Sequence, residues 1–445
     1  MSFDRLALAG SRVPRYTSYP TAAQFTAEIG PAEARRWLAG IDPAQRISLY
    51  LHIPFCRQLC WYCGCNTSVT SRDLPIDRYL ETLHRELALV TAELPAGPSV
   101  SHLHFGGGTP TIVAAASFTH LMAALRARFD VLADAEIAVE IDPRGFDDAR
   151  ADALVASGVN RVSLGIQDLD AQVQAAINRV QPLELVAETV ARLRTRGVNR
   201  ISMDLIYGLP YQTAATITRT VADVARLGPD RISLFGYAHV PWMKSHQRLL
   251  EPAGLPDAAA RLALSDAATA ALNEAGYVSI GIDHFARAED SLAQAARSGR
   301  MHRNFQGYTT DDATVLIALG ASAISSFADG FTQNATRIDD WHEAIARGEL
   351  ATARGVRIHA DDRRRGRIIE RLMCSFAADL SDDVAADSAL AADLERLGPL
   401  VAAGLVEREG ARLSIPEAAR PFARIVAANF DAYLKAASSR HAVAV

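Results

Sequence analysis

The sequence predicts an α/β fold: a closed or partial parallel (β/α) barrel with an N-terminal arm and a mainly helical C-terminal domain. Three observations predict it. From Ile47 to about Ile282, short β-branched runs alternate with longer helical patterns, the rhythm of a parallel sheet with crossover helices. One unit recurs inside that stretch: Gly158-Val-Asn-Arg-Val-Ser-Leu164 returns as Gly197-Val-Asn-Arg-Ile-Ser-Met203 and, more weakly, as Gly228-Pro-Asp-Arg-Ile-Ser-Leu234. Each run also exits into a glycine loop or a polar side chain that would be costly to bury idle. In a barrel all these exits share one face.

Three segments follow from this: an arm over residues 1–46, a barrel with a pocket extension over 47–335, and a mainly helical domain over 336–445. The arm holds an aromatic, Pro-containing stretch, Arg15 to Pro20, and a helical piece near Pro31 to Leu38. Its first twenty residues carry Asp4, Arg5, Arg12 and Arg15 and no apolar core, unlike a secretory signal.

The expected strands are Ile47–Ile53, Leu103–Phe105, Ile137–Ile141, Val162–Ile166, Ile201–Ile206, Ile232–Phe235 and Val278–Ile282. Helical patterns lie between them, as at Ile76–Ala92, Ser117–Phe129, Asp147–Ser157 and Leu183–Arg196. Each copy of the repeat reads as a helix-capping glycine, a tight turn and the start of a buried strand. The exits bring the cysteines after the first strand, Gly106-Gly-Gly-Thr-Pro110 after the second, then Glu140 and Asp142, Gln167 and Asp168, Asp204, Tyr237 and His239, and finally Asp283 and His284.

Residues 283–330 crowd polar and aromatic side chains together, which suits a pocket wall. The run Asp361-Asp-Arg-Arg-Arg365 opens an amphipathic helix and reads as a solvated face. The turn region Gly404–Ser414 is compatible with a winged hairpin, and the isolated Cys374 reads as a core thiol.

Composition narrows the classes. The 445 residues carry a net charge of −5, with no basic surplus to suggest nucleic acid. No apolar run reaches the length of a membrane span. Clustered thiols without a secretory leader suit a reducing cytoplasm, where they bind metals or clusters rather than pair as disulfides.

Four of the five cysteines fall within ten residues, in Tyr50-Leu-His-Ile-Pro-Phe-Cys56-Arg-Gln-Leu-Cys60-Trp-Tyr-Cys63-Gly-Cys65-Asn66. Pro54 ends the preceding strand and puts them on a loop at its C-terminal end. Scattered core thiols do not crowd into one polar-flanked loop. A structural zinc site usually draws on two separated ligand pairs, and no second pair exists. An iron–sulfur cluster held by three thiolates, with one iron left open to a ligand, accounts for the spacing.

Cys56-x3-Cys60-x2-Cys63, with an aromatic just before the third cysteine, resembles the cluster loop of the radical S-adenosylmethionine (SAM) enzymes. Within them the chain resembles the oxygen-independent coproporphyrinogen III oxidase family. The words that carry the resemblance are Arg15-Tyr-Thr-Ser-Tyr-Pro-Thr21, His52-Ile-Pro-Phe-Cys56, Cys63-Gly-Cys65-Asn66, Gly106-Gly-Gly-Thr-Pro110, Glu140-Ile-Asp-Pro-Arg144, Asp204-Leu-Ile-Tyr-Gly-Leu-Pro210, Tyr237-Ala-His239 and His302-Arg-Asn-Phe-Gln-Gly-Tyr-Thr-Thr310. The first and last select this family within the superfamily.

The resemblance implies a partial barrel of the radical SAM type with the arm laid over the mouth of the site. It implies a [4Fe–4S] cluster ligated by Cys56, Cys60 and Cys63, and two SAM molecules per turnover. Tyr50, Gly107, Glu140 and Ile324 match contacts to the first SAM; Tyr62, Gly108, Thr109, Gln167, Arg179, Asp204 and Ala238 match contacts to the second. Tyr62 stands where relatives carry phenylalanine.

The implied reaction is anaerobic oxidative decarboxylation of two propionates of coproporphyrinogen III to vinyl groups, giving protoporphyrinogen IX. It needs an electron donor protein and an electron acceptor that the sequence does not name; a monomer is expected. Arg15, Arg287, His302 and Arg303 are candidates to pair with the propionates. The alternative is a haem chaperone or haem-degrading relative of the same superfamily. Those relatives lack the Arg15–Thr21 arm and the Cys63-Gly-Cys65-Asn66 word.

Overall fold

The structure, a computed structural model, describes residues 4–386 and 388–434. Twelve strands form its main sheet: β1 (Arg46–Ile53), β2 (Ser99–Gly107), β3 (Asp130–Ile141), β4 (Arg161–Gln167), β5 (Arg200–Tyr207), β6 (Arg231–Gly236), β7 (Val278–Ile280), β8 (His284–Ala286), β9 (Leu316–Leu319), β10 (Ile324–Phe327), β11 (Gly330–Asn334) and β12 (Thr352–Arg357). Their spatial order is β12-β11-β10-β9-β1-β2-β3-β4-β5-β6-β8-β7. From β9 through β6 every neighbouring pair is parallel. The sheet is open, with β12 and β7 as its edges.

Alternation along the strands separates two faces. Leu49, Leu51, Ile53, Leu103, Phe105, Val139, Ile141, Leu164, Ile201, Met203 and Ile232 are buried in the main core. Helices Leu74–Ala92, Ala115–Arg126, Asp148–Ala156, Leu183–Arg194, Ala214–Leu227 and Ala258–Glu274 pack each on the next around the outside. The opposite face curls around a cavity of about 530 Å³, lined in turn by Tyr50, His104, Glu140, Ser163, Asp204 and Ser233. The register sets these side by side: Tyr50 opposite His104, Glu140 opposite Ser163, Asp204 opposite Ser233.

The internal repeat builds the closed end of this cavity. Gly158, Gly197 and Gly228 are all left-handed, at φ 83°, 89° and 66°, so each ends its helix without the steric cost of a Cβ. The polar residue that follows ties the neighbouring strand: Asn160 accepts from the Ile137 N–H at 3.0 Å, and Asp230 from the Ile201 N–H at 2.8 Å. Two of the repeat's three arginines point into the floor, Arg161 to Glu136 at 2.9 Å and Arg231 to Asp290 at 2.9 Å, while Arg200 is exposed. Buried guanidiniums persist there because each has a carboxylate partner.

The expected seventh parallel strand, Val278–Ile282, is instead half of an antiparallel hairpin. The chain turns at Gly281 (φ 57°) and returns as β8, which inserts between β6 and β7. With no crossover helix after it, the strand can only pair antiparallel. The sheet also continues beyond residue 335, because β12 pairs with β11 inside the segment expected to be helical.

That later segment is otherwise mainly helical. It includes Ala360–Cys374 and a small antiparallel sheet of Ala377–Asp379, Arg412–Ser414 and Glu407–Glu409, the last two joined as a hairpin through left-handed Gly410. Cys374 is buried. The run 361–365 is not simply solvated: Asp362 and Arg365 are buried. Arg365 reaches Asp393 at 2.5 Å and the Phe430 carbonyl at 3.1 Å, while Tyr433 donates to Asp362 at 2.8 Å. Among the described residues, no helix is long and apolar enough to cross a membrane.

Candidate functional site

β1 ends at Pro54, and Phe55–Cys56 pairs with Ser68–Val69 to close the base of the cysteine loop. The loop's carbonyls are taken up by side chains from elsewhere. Asn178 donates to the Leu59 carbonyl at 2.7 Å, Gln247 to Tyr62 at 2.9 Å, His246 to Cys63 at 2.8 Å and Lys244 to Cys65 at 2.7 Å. With its backbone satisfied in this way, the loop holds its shape independently of regular structure. His246 and Gln247 lie in the 3-10 segment Ser245–Ala253 and Lys244 just before it, and their spacing gave no sign of this role.

Two guanidiniums converge on one thiol. Arg144 and Arg179 reach Cys60 Sγ at 3.4 and 3.5 Å, and both are held by Asp142, at 2.7 and 3.1 Å. Cys63 has its thiol pulled down to about 6, first by a hydrogen bond with the Cys65 thiol. Burial pushes the Cys56 thiol up to about 11. The donor set is therefore three thiols on one pinned loop, one already under two cations and one readily ionised. That fits a thiolate-bound cluster.

The glycine loop after β2 is stitched to this base. Gly108 N–H donates to the Ile53 carbonyl and Thr109 N–H to the Phe55 carbonyl, at 2.9 and 2.8 Å. A Cβ on Gly108 would stand 2.6 Å from the Phe55 carbonyl oxygen, so the close approach requires glycine. Thr109 Oγ1 lies 3.5 Å from Cys56 Sγ. Gly107 has φ 118°, and its N–H donates to Glu140 at 3.2 Å.

Glu140 also meets His104 Nε2 at 3.2 Å, and its side chain is 41% exposed to the cavity. Burial pushes its carboxyl up, but hydrogen bonds from His104 and Gly107 outweigh that and keep it ionised. Tyr50 stacks on His104, ring centres 5.8 Å apart. The Tyr50 hydroxyl donates to His52 Nδ1 at 3.0 Å, because His52 Nε2 serves the Asn66 carbonyl at 3.0 Å and burial keeps the ring neutral.

Tyr50, Gly107, Glu140 and Ile324 thus come together on one cavity wall, with Cys65 at its rim. The second set is more dispersed. Asp204 lines the same cavity; burial raises its carboxyl, and hydrogen bonds from Ser233 and Ser163 offset only part of that. Tyr62 packs with the cluster of Val173, Ile177, Leu209, Tyr237 and Leu250. Gln167 ends β4 in a left-handed conformation, φ 68°. Arg179 faces Cys60 and the Gly165 carbonyl. Thr109 lines a small outer cleft with Asp142 and Arg144, and Ala238 a separate cavity with Arg15.

Not every strand exit serves the site. Asp168 is buried and spends its carboxylate on Gln212, Thr220 and the Asp170 N–H. Arg287 lies over Tyr277 at 4.2 Å, and its N–H bonds the Asp230 carbonyl at the opposite end of β6. His302 pairs with Glu370 at 3.2 Å. Neither lines a cavity described here.

Three comparisons bear on this arrangement. The Radical SAM superfamily matches residues 50–224. The oxygen-independent coproporphyrinogen III oxidase of Bradyrhizobium diazoefficiens is 49% identical over 438 residues, 98% of this chain and 97% of the relative. That of Escherichia coli is 40% identical over 427 residues, 95% and 93% of the two chains. The solved structure of the Escherichia coli coproporphyrinogen III oxidase, described as a radical SAM enzyme, superposes with a TM-score of 0.90 at 38% identity, covering 95% of this chain and all of the other.

Proposed function

The chain belongs to the oxygen-independent coproporphyrinogen III oxidase family of radical SAM enzymes, and from that premise we propose how its residues divide the work. It is an oxidoreductase of porphyrin biosynthesis. It converts two propionates of coproporphyrinogen III to vinyl groups, giving protoporphyrinogen IX, with a [4Fe–4S] cluster and two SAM molecules per turnover. When bound, the cluster and SAM would supply the radical chemistry by which a hydrogen atom is removed from the carbon β to each carboxylate.

Cys56, Cys60 and Cys63 hold the cluster, and the side chains on the loop carbonyls keep their spacing. Tyr50, Gly107, Glu140 and Ile324 receive the first SAM. The ionised Glu140 suits an ammonium or ribose hydroxyl, and the Gly107 backbone permits close approach. Tyr62, Gly108, Thr109, Gln167, Arg179, Asp204 and Ala238 receive the second. Each propionate loses a hydrogen atom, carbon dioxide and one electron, so an electron donor protein and an electron acceptor complete the cycle.

We assign the protein to the cytoplasm as a monomer. The division is 1–46 as an arm over the mouth, 47–335 as the barrel and 336–445 as the C-terminal domain, with β12 lent back to the barrel sheet. The observation that carries the site assignment is the stitching of the cysteine loop to the glycine loop beside Glu140.

The test is anaerobic turnover of reconstituted protein with SAM, a strong reductant, coproporphyrinogen III and an electron acceptor, with tetrapyrroles and 5′-deoxyadenosine separated by chromatography. About two deoxyadenosines per protoporphyrinogen are expected, as two hydrogen abstractions require. Deoxyadenosine without protoporphyrinogen would move the substrate elsewhere among haem-related compounds.

A further inference from the structure

A second cavity, of about 200 Å³, opens beside the first, with Phe235 and His284 lining both. Among the described residues its walls carry four arginines, Arg15, Arg261, Arg420 and Arg424, and two carboxylates, Asp283 and Glu417. Asp283 is shared: it lies 2.6 Å from His284 Nδ1, and its charge also acts on Arg15 and Arg424. The four arginines come from the arm, from helix Ala258–Glu274 and from the C-terminal segment, where Arg420 and Arg424 stand four residues apart, so no local sequence pattern joins all of them.

The geometry keeps these cations crowded. A Cβ on Gly208 would stand 2.5 Å from Arg261 Nη1, and one on Gly236 would stand 3.2 Å from Arg261 Nη2. Gly208, just after β5, therefore clears the space the Arg261 guanidinium fills, while Gly236 at the end of β6 makes room first for the Tyr207 hydroxyl, 2.8 Å from its would-be Cβ. Arg424 is 6% exposed. Burial and the charge of Arg15 together pull it down to about 10, and the same two causes lower Arg261. Cations that weaken one another in this way gain most from an anion placed between them.

We propose that this cavity moors the propionate carboxylates that the reaction leaves intact. Coproporphyrinogen III carries four propionates, of which two become vinyl groups. At 200 Å³ the cavity falls below the roughly 300 Å³ at which pockets for whole drug-sized ligands begin. It suits carboxylate side chains of a macrocycle whose body lies outside it, toward the larger cavity next door. Arg15 makes the arm part of the clamp. The proposal rests on the substrate assignment above and deepens it.

The test is fluorescence titration of the anaerobic, cluster-loaded protein with coproporphyrin III, a stable tetra-acid, and with its tetramethyl ester. Arg261→Gln and Arg420→Gln should weaken binding of the acid by about tenfold or more, with Lys at either position recovering part of the loss, and leave ester binding unchanged. In the unaltered protein, bound coproporphyrin III should protect Arg15, Arg261 and Arg420 from phenylglyoxal, as mapped by mass spectrometry; this holds even where a variant fails to fold. Undiminished binding by the variants, or absence of protection, in protein that still makes protoporphyrinogen overturns the mooring site alone. An unaltered protein that cleaves SAM but converts no coproporphyrinogen strikes the substrate assignment itself.

Discussion

Arg179 Nη1 lies 3.1 Å from Asp142 Oδ2 and 3.5 Å from Cys60 Sγ. The same Asp142 oxygen holds Arg144 Nη2 at 2.7 Å, and that nitrogen reaches Cys60 Sγ at 3.4 Å. One carboxylate therefore aims two cations at one thiol.

Asp142→Asn removes the charge that gathers them. Both guanidiniums are largely buried, at 14% and 7% side-chain exposure, so an uncompensated cation is left behind. Breaking such a pair costs about 3 kcal/mol. Denaturant unfolding should show that loss, and iron and sulfide per chain should fall on purification. Unchanged values in both would leave Asp142 without this role.

Cys56→Ser, Cys60→Ser and Cys63→Ser should each reduce bound iron and sulfide to near background after anaerobic reconstitution, because hydroxyls do not replace thiolates at such clusters. Cys374→Ala is the control. That thiol is buried with Ile280, Met301 and Tyr308, well along the chain from the loop. It should keep its iron and lose only about 1 kcal/mol of stability. Iron retained by any of the three loop variants would redraw the ligand set.

Gly108→Ala forces a Cβ to within 2.6 Å of the Phe55 carbonyl oxygen. The atoms it meets are backbone and cannot rotate away, so the glycine loop must part from the cysteine loop. Overpacking of this kind costs about 1–3 kcal/mol, and SAM affinity measured by equilibrium dialysis should fall about tenfold. Gly145→Ala, with nothing within 4 Å of its added carbon, should stay within about 0.5 kcal/mol of the parent.

The parallel strands β1 to β6 were legible because their apolar runs are buried and recur with helical patterns between them. Ile47–Ile53 and Ile201–Ile206 match β1 and β5 to within a residue at either end. β9 to β12 were not. Leu316–Leu319 is too short to distinguish from a buried helix segment, and Thr352–Arg357 carries charges that suit an edge strand as well as a loop. The cysteine and glycine loops were legible because their chemistry is local in sequence. Asp142 was read as a strand exit, but its grip on Arg179 joins residues 37 apart, and Arg261 and Arg424 meet only in space. The buried Arg365 was misread because its partners, Asp393 and Phe430, lie far along the chain.

His102 lies 3.1 Å from Asp311 on the cavity floor, with side-chain exposures of 25% and 8%. Burial alone would push the imidazole down, but the hydrogen bond and charge of Asp311 outweigh it and raise the group above its ordinary 6.5. Asp311 is also held by Ser48 and by the Ala313 N–H, and its carboxyl is kept below the usual range, so it stays ionised near neutrality. A histidine raised in the folded state contributes stability that is complete below its unfolded pKa and is lost as pH rises through the folded one. The unfolding midpoint of the parent should therefore exceed that of His102→Gln most at about pH 6, and the gap should narrow toward about pH 9. A gap that widens with pH would mean that the imidazole is neutral in the folded protein and that Asp311 is paired elsewhere.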